Sequence, residues 1–148
     1  MNFLQSIFLV GLPGSGKSTV GRQLARRMGL PFVDSDQVIE QRIGSSIRAF
    51  FEREGEGAFR DIESQVIDEL TQGPQAVVAT GGGAVLRAEN RACLRERGQV
   101  VYLRSNAEDL YRRLRHDRQR PLLQVADPLA KLKDLHAQRH PLYAHTAH

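Results

Sequence analysis

Nine residues near the amino terminus have the types and spacing of an anion-binding turn. Residues 11–19 read GLPGSGKST, a glycine followed by four residues and then Gly-Lys-Ser. The glycines let backbone N–H groups converge on an anion, and Lys17 adds a compact positive charge. Ser18 supplies a hydroxyl oxygen of the kind that Mg²⁺ prefers. The stretch therefore predicts binding of nucleotide phosphates together with Mg²⁺.

The flanking residues predict the strand and the helix that such a loop requires. Residues 6–10 (SIFLV) form a short, nearly continuous apolar run, as a buried parallel strand does. After the loop, Val20, Leu24 and Met28 recur at helical spacing, and Gly29 can end that helix. A helix that begins at the loop would turn its positive end toward the phosphates.

Two carboxylates follow the second predicted strand. Residues 30–33 (LPFV) are short and apolar, and Asp34 and Asp36 come just after them. Ligands of open α/β sheets bind beyond the carboxyl ends of strands, and alternate residues of an extended segment share a side. We therefore expect both carboxylates to face the phosphate loop and to bind a metal or a substrate. Asp36 can also cap a helix over residues 37–42.

Further candidates lie in a glycine turn and in arginine-bearing segments. The glycines at residues 81–83 follow a predicted strand at 75–80 and would let backbone N–H groups approach a ligand closely. Arg60 lies beside the apolar stripe of a helix, where it could equally be a surface ion-pair partner of Glu56 and Glu63. Residues 111–123 carry five arginines but no interleaved aromatics, so a lid over the nucleotide is favoured over a nucleic-acid patch or a solvated face.

Strand and helix patterns alternate along the chain, which predicts a parallel α/β sheet. A helix over residues 89–97 precedes a strand at 100–103, and Pro128 is well placed to open a helix over 129–139. Residues 44–46 and Gly55 interrupt the helical pattern between the second and third strands. We expect a single domain over residues 1–148, with a helical insertion at about 37–63.

Composition narrows the class of protein. A chain of 148 residues with 41% hydrophobic and 26% charged residues suits one soluble domain, and its net charge of +4 suits acidic ligands. The single cysteine, Cys93, favours a reducing compartment and a packed rather than catalytic thiol. No run is long enough to span a membrane and no signal peptide is evident, so we expect a cytoplasmic protein. We expect it to be a monomer. His136 and His140 are interpreted as solvated helix residues, since no third metal ligand is near in sequence.

Taken together, the motifs resemble those of the shikimate kinase family. They are the phosphate loop, the Asp34-Ser35-Asp36 segment, residues 51–60 (FEREGEGAFR), 81–83 (GGG), 120–123 (RPLL) and 139–143 (RHPLY). The phosphate loop alone is generic, whereas the series as a whole is specific and covers essentially the entire chain. The resemblance implies a P-loop nucleoside-monophosphate-kinase-like three-layer fold with a central parallel sheet ordered 2-3-1-4-5. It also implies a shikimate-binding insertion and a lid at about 115–127.

The resemblance implies that ATP phosphorylates the 3-hydroxyl of shikimate, in the pathway to chorismate and the aromatic amino acids. Lys17, Asp36 and Arg120 would carry catalysis, and Mg²⁺ would be held by Ser18 and, through water, by Asp34. The implied ATP-binding residues are Gly14, Ser15, Gly16, Lys17, Ser18, Thr19, Arg113 and Arg120. The implied shikimate-binding residues are Asp36, Arg60, Gly81, Gly82, Gly83 and Arg139.

One departure and two alternatives accompany the resemblance. Members of that family continue past the Pro-Leu-Tyr segment into a last strand and a C-terminal helix, so we do not expect the fifth strand here. Another small-metabolite kinase, such as a gluconate kinase, is one alternative, and a nucleotide-binding regulatory module without catalysis is the other. Arg60, Arg139 and the triple glycine favour shikimate. Lost catalysis is disfavoured by the presence of Lys17, Ser18, Asp34, Asp36 and Arg120.

Overall fold

The computed structural model describes residues 5–114 and 126–148, which form a parallel sheet with helices on both faces. Within these residues the strands are Ser6–Val10 (β1), Phe32–Asp34 (β2), Val77–Ala79 (β3) and Gly98–Tyr102 (β4). Their order is β2-β3-β1-β4, and every neighbouring pair is parallel. The predicted α/β class is confirmed, as are the first four positions of the implied strand order.

The central strand β1 is buried on both sides, as its apolar run predicts. Phe8, Leu9 and Val10 are fully inaccessible to solvent. Phe8 and Val10 belong to the larger core, while Leu9 packs with Ala25 and Val77 in a separate cluster. Because alternate side chains of a strand face opposite sides of the sheet, the two clusters are the two helix–sheet layers.

Helices surround this sheet in the order that the alternating pattern predicts. Their bounds are Lys17–Met28 (α1), Ser35–Ile43 (α2), Ile47–Gln72 (α3), Ala88–Arg97 (α4), Ala107–Leu114 (α5) and Pro128–Thr146 (α6). Pro128 opens α6 as expected, and the Asp127 side chain caps it by accepting from the Ala130 N–H at 3.1 Å. In the described part of the chain, no helix is long and apolar enough to cross a membrane.

The segment between β2 and β3 is a helical excursion with a small core of its own. Helix α2 packs on α3 through a cluster formed by Ile39, Phe50, Phe59 and Val66. Helix α3 is interrupted at Gly55, whose φ of 87° and ψ of 172° lie outside the helical region. The predicted break near Gly55 is therefore confirmed, and it lets the first half of α3 turn away from the second.

Two predicted element bounds are wrong in an informative way. The second strand is Phe32–Asp34 rather than 30–33, so Asp34 is still part of the strand. Helix α6 does not stop at Arg139 but continues through Pro141 to Thr146. An interior proline costs about 3 kcal/mol in an isolated helix. Here the cost is offset because Leu135, Arg139 and Tyr143 bury one continuous face of α6.

Candidate active site

The phosphate loop joins the end of β1 to the start of α1. Gly14 and Gly16 have φ values of 81° and 93°, which a residue with a side chain rarely adopts. Helix α1 begins at Lys17, so its first N–H groups lie at the loop, where they favour an anion. The Lys17 ammonium donates to the carbonyl oxygens of Gly11 at 2.5 Å and Leu12 at 3.0 Å. These two hydrogen bonds hold the Lys17 ammonium within the loop where nucleotide phosphates would bind.

Asp34 connects the phosphate loop to the start of α2. Its Oδ2 accepts from the Ser18 hydroxyl at 3.2 Å. Its Oδ1 accepts from the N–H groups of Asp36 at 2.9 Å and Gln37 at 3.4 Å. Asp34 therefore caps α2, and the expectation that Asp36 caps a helix starting at residue 37 is wrong. The helix begins two residues earlier, at Ser35, which puts Asp36 inside its first turn.

Asp36 nevertheless lies at the same cavity as the phosphate loop. A methyl group added to Gly81 would lie 2.6 Å from Asp36 Oδ1 and 3.2 Å from Glu63 Oε2. One cavity is lined by Lys17, Ser18, Asp36, Gly81 and Gly82, together with their neighbours. The carboxyl ends of β1, β2 and β3 thus bring a cation, two carboxylates and a glycine turn to one edge of the sheet.

Arg60 lies directly against the third glycine of that turn. A methyl group on Gly83 would lie 2.2 Å from Arg60 Nη1, so any side chain at this position would displace the guanidinium. The Arg60 side chain is 12% exposed and pairs with Glu63 at 2.8 Å and with Glu56 at 3.2 Å. Its guanidinium also lies 5.2 Å from the Phe59 ring centroid. Arg60 therefore makes the ion pairs with Glu56 and Glu63 that its spacing predicts, but it does so as a largely buried rather than a surface cation.

Glu63 is the residue at this site that sequence reasoning missed, since it was counted only as a neighbour of Arg60. Its side chain is 1% exposed. Burial raises the pKa of Glu63, against the opposing effects of the Arg60 charge and hydrogen bond and of the Arg139 and Arg87 charges. A signal was present in the sequence, because Glu63 interrupts the apolar helical stripe that runs through Phe59 and Val66.

The raised pKa of Glu63 predicts a pH-dependent stability. A carboxyl whose pKa is higher in the folded than in the unfolded state stabilises the fold below its ordinary value of 4.5, and that contribution is lost as the pH rises through the folded value. The free energy of unfolding of Glu63→Gln should therefore increase relative to that of wild type as the pH rises above 4.5. The difference should become constant once the pH exceeds the pKa of Glu63 in the folded state. Urea unfolding at several pH values measures this.

Asp68 on the same helix provides a control of opposite sign. A hydrogen bond from Arg97 lowers the pKa of Asp68, so its stabilising contribution is present above the ordinary value of 3.8 and lost as the pH falls. The free energy of unfolding of Asp68→Asn should accordingly increase relative to that of wild type only as the pH falls. If both variants responded to pH in the same direction, the assignment for Glu63 would be refuted.

Arg139 approaches the glycine turn from α6. The residue is 5% exposed, and a methyl group on Gly82 would lie 3.3 Å from Arg139 Nη1 and 2.8 Å from Pro13 Cδ. In the described part of the chain, Arg139 makes no salt bridge within 4 Å, although its charge acts on Glu63. Arg60 and Arg139 thus reach the turn from two helices that are far apart in sequence.

The remaining nucleotide-side predictions concern α5 and the segment after it. Arg113 Nη1 donates to the Gly14 carbonyl oxygen at 3.0 Å, and a methyl group on Gly14 would lie 2.8 Å from Leu114 Cδ1. The end of α5 therefore rests on the phosphate loop. Arg120 and most of the predicted lid lie outside the described residues.

The sequence analysis interpreted His136 and His140 of α6 as solvated residues, but the structure shows that both make specific contacts. Their rings are stacked with centroids 5.2 Å apart, and His140 Nδ1 lies 2.9 Å from the Tyr102 hydroxyl. The pair therefore helps α6 pack against the end of β4. No group of three or more His, Cys, Asp or Glu side chains that could hold a metal occurs among residues 5–114 and 126–148.

The fold and the site define a phosphate-loop kinase with a basic pocket beside its phosphate-binding loop. A family model described as shikimate kinase matches residues 13–148. The chain belongs to the shikimate kinase family.

Relatives of known name and structure agree with this assignment. A shikimate kinase of Paracidovorax citrulli is 64% identical over 145 residues, which is 97% of this chain and 79% of that protein. One of Ralstonia nicotianae is 61% identical over 98% of this chain and 76% of its own length. Among solved structures, shikimate kinase from Acinetobacter baumannii in complex with shikimate has a TM-score of 0.96 and 50% identity. That comparison covers 98% of this chain and 81% of the other.

Proposed function

We propose that this chain transfers the γ-phosphoryl group of ATP to the 3-hydroxyl of shikimate, giving shikimate 3-phosphate and ADP. The observation that carries the proposal is a shared cavity in which the phosphate loop adjoins Asp36, Gly81 and Gly82. The guanidinium groups of Arg60 and Arg139 approach the same turn. A phosphate site and an acid-binding pocket in contact are what direct transfer from ATP to a hydroxy acid requires.

On the nucleotide side, the amides of residues 14–19 and the Lys17 ammonium would hold the β- and γ-phosphates. Arg113, already in contact with Gly14, would contact adenine once the nucleotide is bound. Arg120 would reach the phosphates from a lid over residues 115–127 and exclude water from the transferring group. Charge neutralisation of this kind is the main demand of phosphoryl transfer, since its transition state is loose.

Ser18 and Asp34 would hold Mg²⁺, the latter through water. Their chemistry fits this ion, because a hydroxyl and a carboxylate 3.2 Å apart offer hard oxygen ligands beside the phosphate loop. When bound, Mg²⁺ supplies neutralisation of charge on the β- and γ-phosphate oxygens.

Two substitutions of Asp34 should separate its capping role from its metal role. Asparagine retains a side-chain oxygen for the Asp36 N–H, so Asp34→Asn should keep near-wild-type stability, whereas Asp34→Ala should lose about 1 kcal/mol. Both variants lack the charge, so both should need several-fold more Mg²⁺ for half-maximal activity. Urea unfolding and Mg²⁺ titration of turnover measure the two effects. A wild-type Mg²⁺ requirement in Asp34→Asn would leave Asp34 with the capping role alone.

On the acceptor side, Arg60 and Arg139 would bind the shikimate carboxylate, because planar guanidinium groups match a carboxylate with paired hydrogen bonds. The amides of residues 81–83 would line the ring. Asp36 would accept hydrogen bonds from the ring hydroxyls and orient the 3-hydroxyl toward the γ-phosphorus. The new O–P bond forms as the bond to the ADP oxygen breaks, and the hydroxyl proton passes toward the Asp36 carboxylate.

A coupled ADP-release assay with shikimate, with gluconate and with no acceptor tests the proposal. We expect turnover with shikimate only. Turnover with gluconate but not shikimate would show that gluconate is the acceptor, and ATP binding without turnover would indicate a regulatory module.

We also propose that the protein is a cytoplasmic monomer that acts in the pathway to chorismate and the aromatic amino acids. Sedimentation at enzyme-assay concentrations tests the oligomeric state.

A further inference from the structure

The buried hydroxyl of Tyr143 contacts the glycine turn from behind. Tyr143 is completely inaccessible to solvent, and its hydroxyl donates to the Gly82 carbonyl oxygen at 2.5 Å. Its ring packs on Tyr102, with centroids 5.0 Å apart. Burial raises the pKa of Tyr143 to about 12, with the Arg139 charge opposing it, so the hydroxyl stays protonated and acts as a donor.

This hydrogen bond determines how one peptide unit of the turn is oriented. In a trans peptide, the carbonyl of one residue and the N–H of the next point in opposite directions. The Gly82 carbonyl points toward the buried Tyr143 hydroxyl, so the Gly83 N–H points away from it. The Arg60 guanidinium lies against the same Gly83. The orientation of this peptide therefore decides whether an amide donor is presented beside Arg60.

Tyr143 is also coupled to the second arginine of the pocket. Arg139 and Tyr143 lie four residues apart on α6, where side chains share a face, and the Arg139 charge opposes the effect of burial on the pKa of Tyr143. Arg139 Nη1 in turn lies close to Gly82. The Tyr143 hydroxyl thus contacts the turn directly, and Tyr143 lies on the same helix face as the cation that approaches the turn.

We propose that Tyr143 is a positioning residue for the acceptor acid, whose hydroxyl holds the peptide between Gly82 and Gly83 and the Arg139 guanidinium in their binding arrangement. The proposal rests on the proposed function, because it assigns Tyr143 to the shikimate half of the site. Tyr143 does not touch the reacting atoms. It acts through the backbone of the turn and through Arg139, and in the described part of the chain its hydroxyl donates to Gly82 and not to the phosphate loop.

The test is Tyr143→Phe, which keeps the ring and removes only the hydroxyl. One lost buried hydrogen bond corresponds to roughly a tenfold change in an equilibrium constant. We expect KM for shikimate to rise about tenfold, with KM for ATP within about twofold of wild type. Tyr102→Phe is the matched control, since its hydroxyl bonds to His140 in the same aromatic cluster and not to the turn. Both of its KM values should stay within about twofold of wild type.

Two results would overturn the proposal. One is an unchanged shikimate KM in folded Tyr143→Phe, and the other is an equal rise in both KM values. If wild type does not turn over shikimate, the proposed function fails instead. Should Tyr143→Phe not fold, p-aminophenylalanine at position 143 retains the shape and a weaker donor. It should keep KM for shikimate within a few-fold of wild type, and a rise of tenfold or more would refute a role for the donated hydrogen bond.

A spectroscopic measurement separates positioning from a general loss of packing. In protein labelled with carbonyl-¹³C glycine, the Gly82 signal should shift in Tyr143→Phe and stay in place in Tyr102→Phe, because only the first removes its hydrogen bond. A Gly82 signal that is the same in wild type and Tyr143→Phe would contradict the proposed contact.

Discussion

Replacing Lys17 with alanine is expected to lower kcat about a thousandfold, or about 4 kcal/mol in activation free energy. The ammonium is a compact charge held across the phosphate loop by the Gly11 and Leu12 carbonyls. On transfer, charge spreads over the γ-phosphoryl oxygens, and a fixed cation there stabilises the transition state more than the ground state. Steady-state and single-turnover rates with shikimate and ATP measure the loss.

The control for Lys17→Ala is Lys133→Ala, which removes a surface ammonium that lies 3.7 Å from Glu108 on α5. A surface ion pair contributes under about 1 kcal/mol to stability, so kcat should stay within about twofold of wild type. Lys17→Arg should remain impaired, because the larger planar guanidinium does not match the point charge that the loop accommodates. Near-normal turnover in Lys17→Ala would overturn the assignment of residues 11–19 to the nucleotide.

Features that depend on neighbours in sequence were predictable. The phosphate loop, the strand before it and the helix after it are local patterns, and each is in place. The break at Gly55 and the start of α6 at Pro128 were equally readable from residue type. Each rests on a backbone preference that acts within a few residues.

The roles of the two carboxylates could not be separated by sequence. Asp34 and Asp36 are both good helix caps, and a shift of the helix start by two residues decides which one accepts the backbone N–H groups. Strand β2 ends at Asp34 because Asp34 pairs with Ala79 of β3, a residue 45 positions away. The choice is therefore made by sheet register and not by local preference.

The position of Glu63 on an apolar stripe signalled its burial, but the sequence did not reveal most of the charges that compensate it. A lone glutamate on an apolar stripe is costly to bury unless cations compensate it. The compensating charges come from Arg60, Arg87 and Arg139, which reach it from three separate parts of the chain. The i+3 spacing to Arg60 revealed only the first of them.

The second large effect is expected for Arg60→Ala, which should raise KM for shikimate about a hundredfold and leave KM for ATP within about twofold. The proposed partner of Arg60 is the acceptor carboxylate, and a paired charge-assisted hydrogen bond at a largely buried site carries several kcal/mol. The substitution also removes the nearest cation from Glu63, so stability should fall as well. Calorimetric titration measures the affinities for shikimate and for an ATP analogue, and urea unfolding measures the stability.

A second substitution can distinguish lost binding from lost stability. In Arg60→Ala/Glu63→Gln the buried side chain no longer carries a charge, so much of the stability should return while shikimate affinity stays low. Arg42→Ala breaks only the exposed pair with Glu69. It should change shikimate affinity by less than about twofold and stability by less than about 1 kcal/mol. If shikimate affinity returned together with stability in the double variant, Arg60 would act by supporting the fold around Glu63. If affinity for the ATP analogue fell instead, its assignment to the acceptor would be wrong.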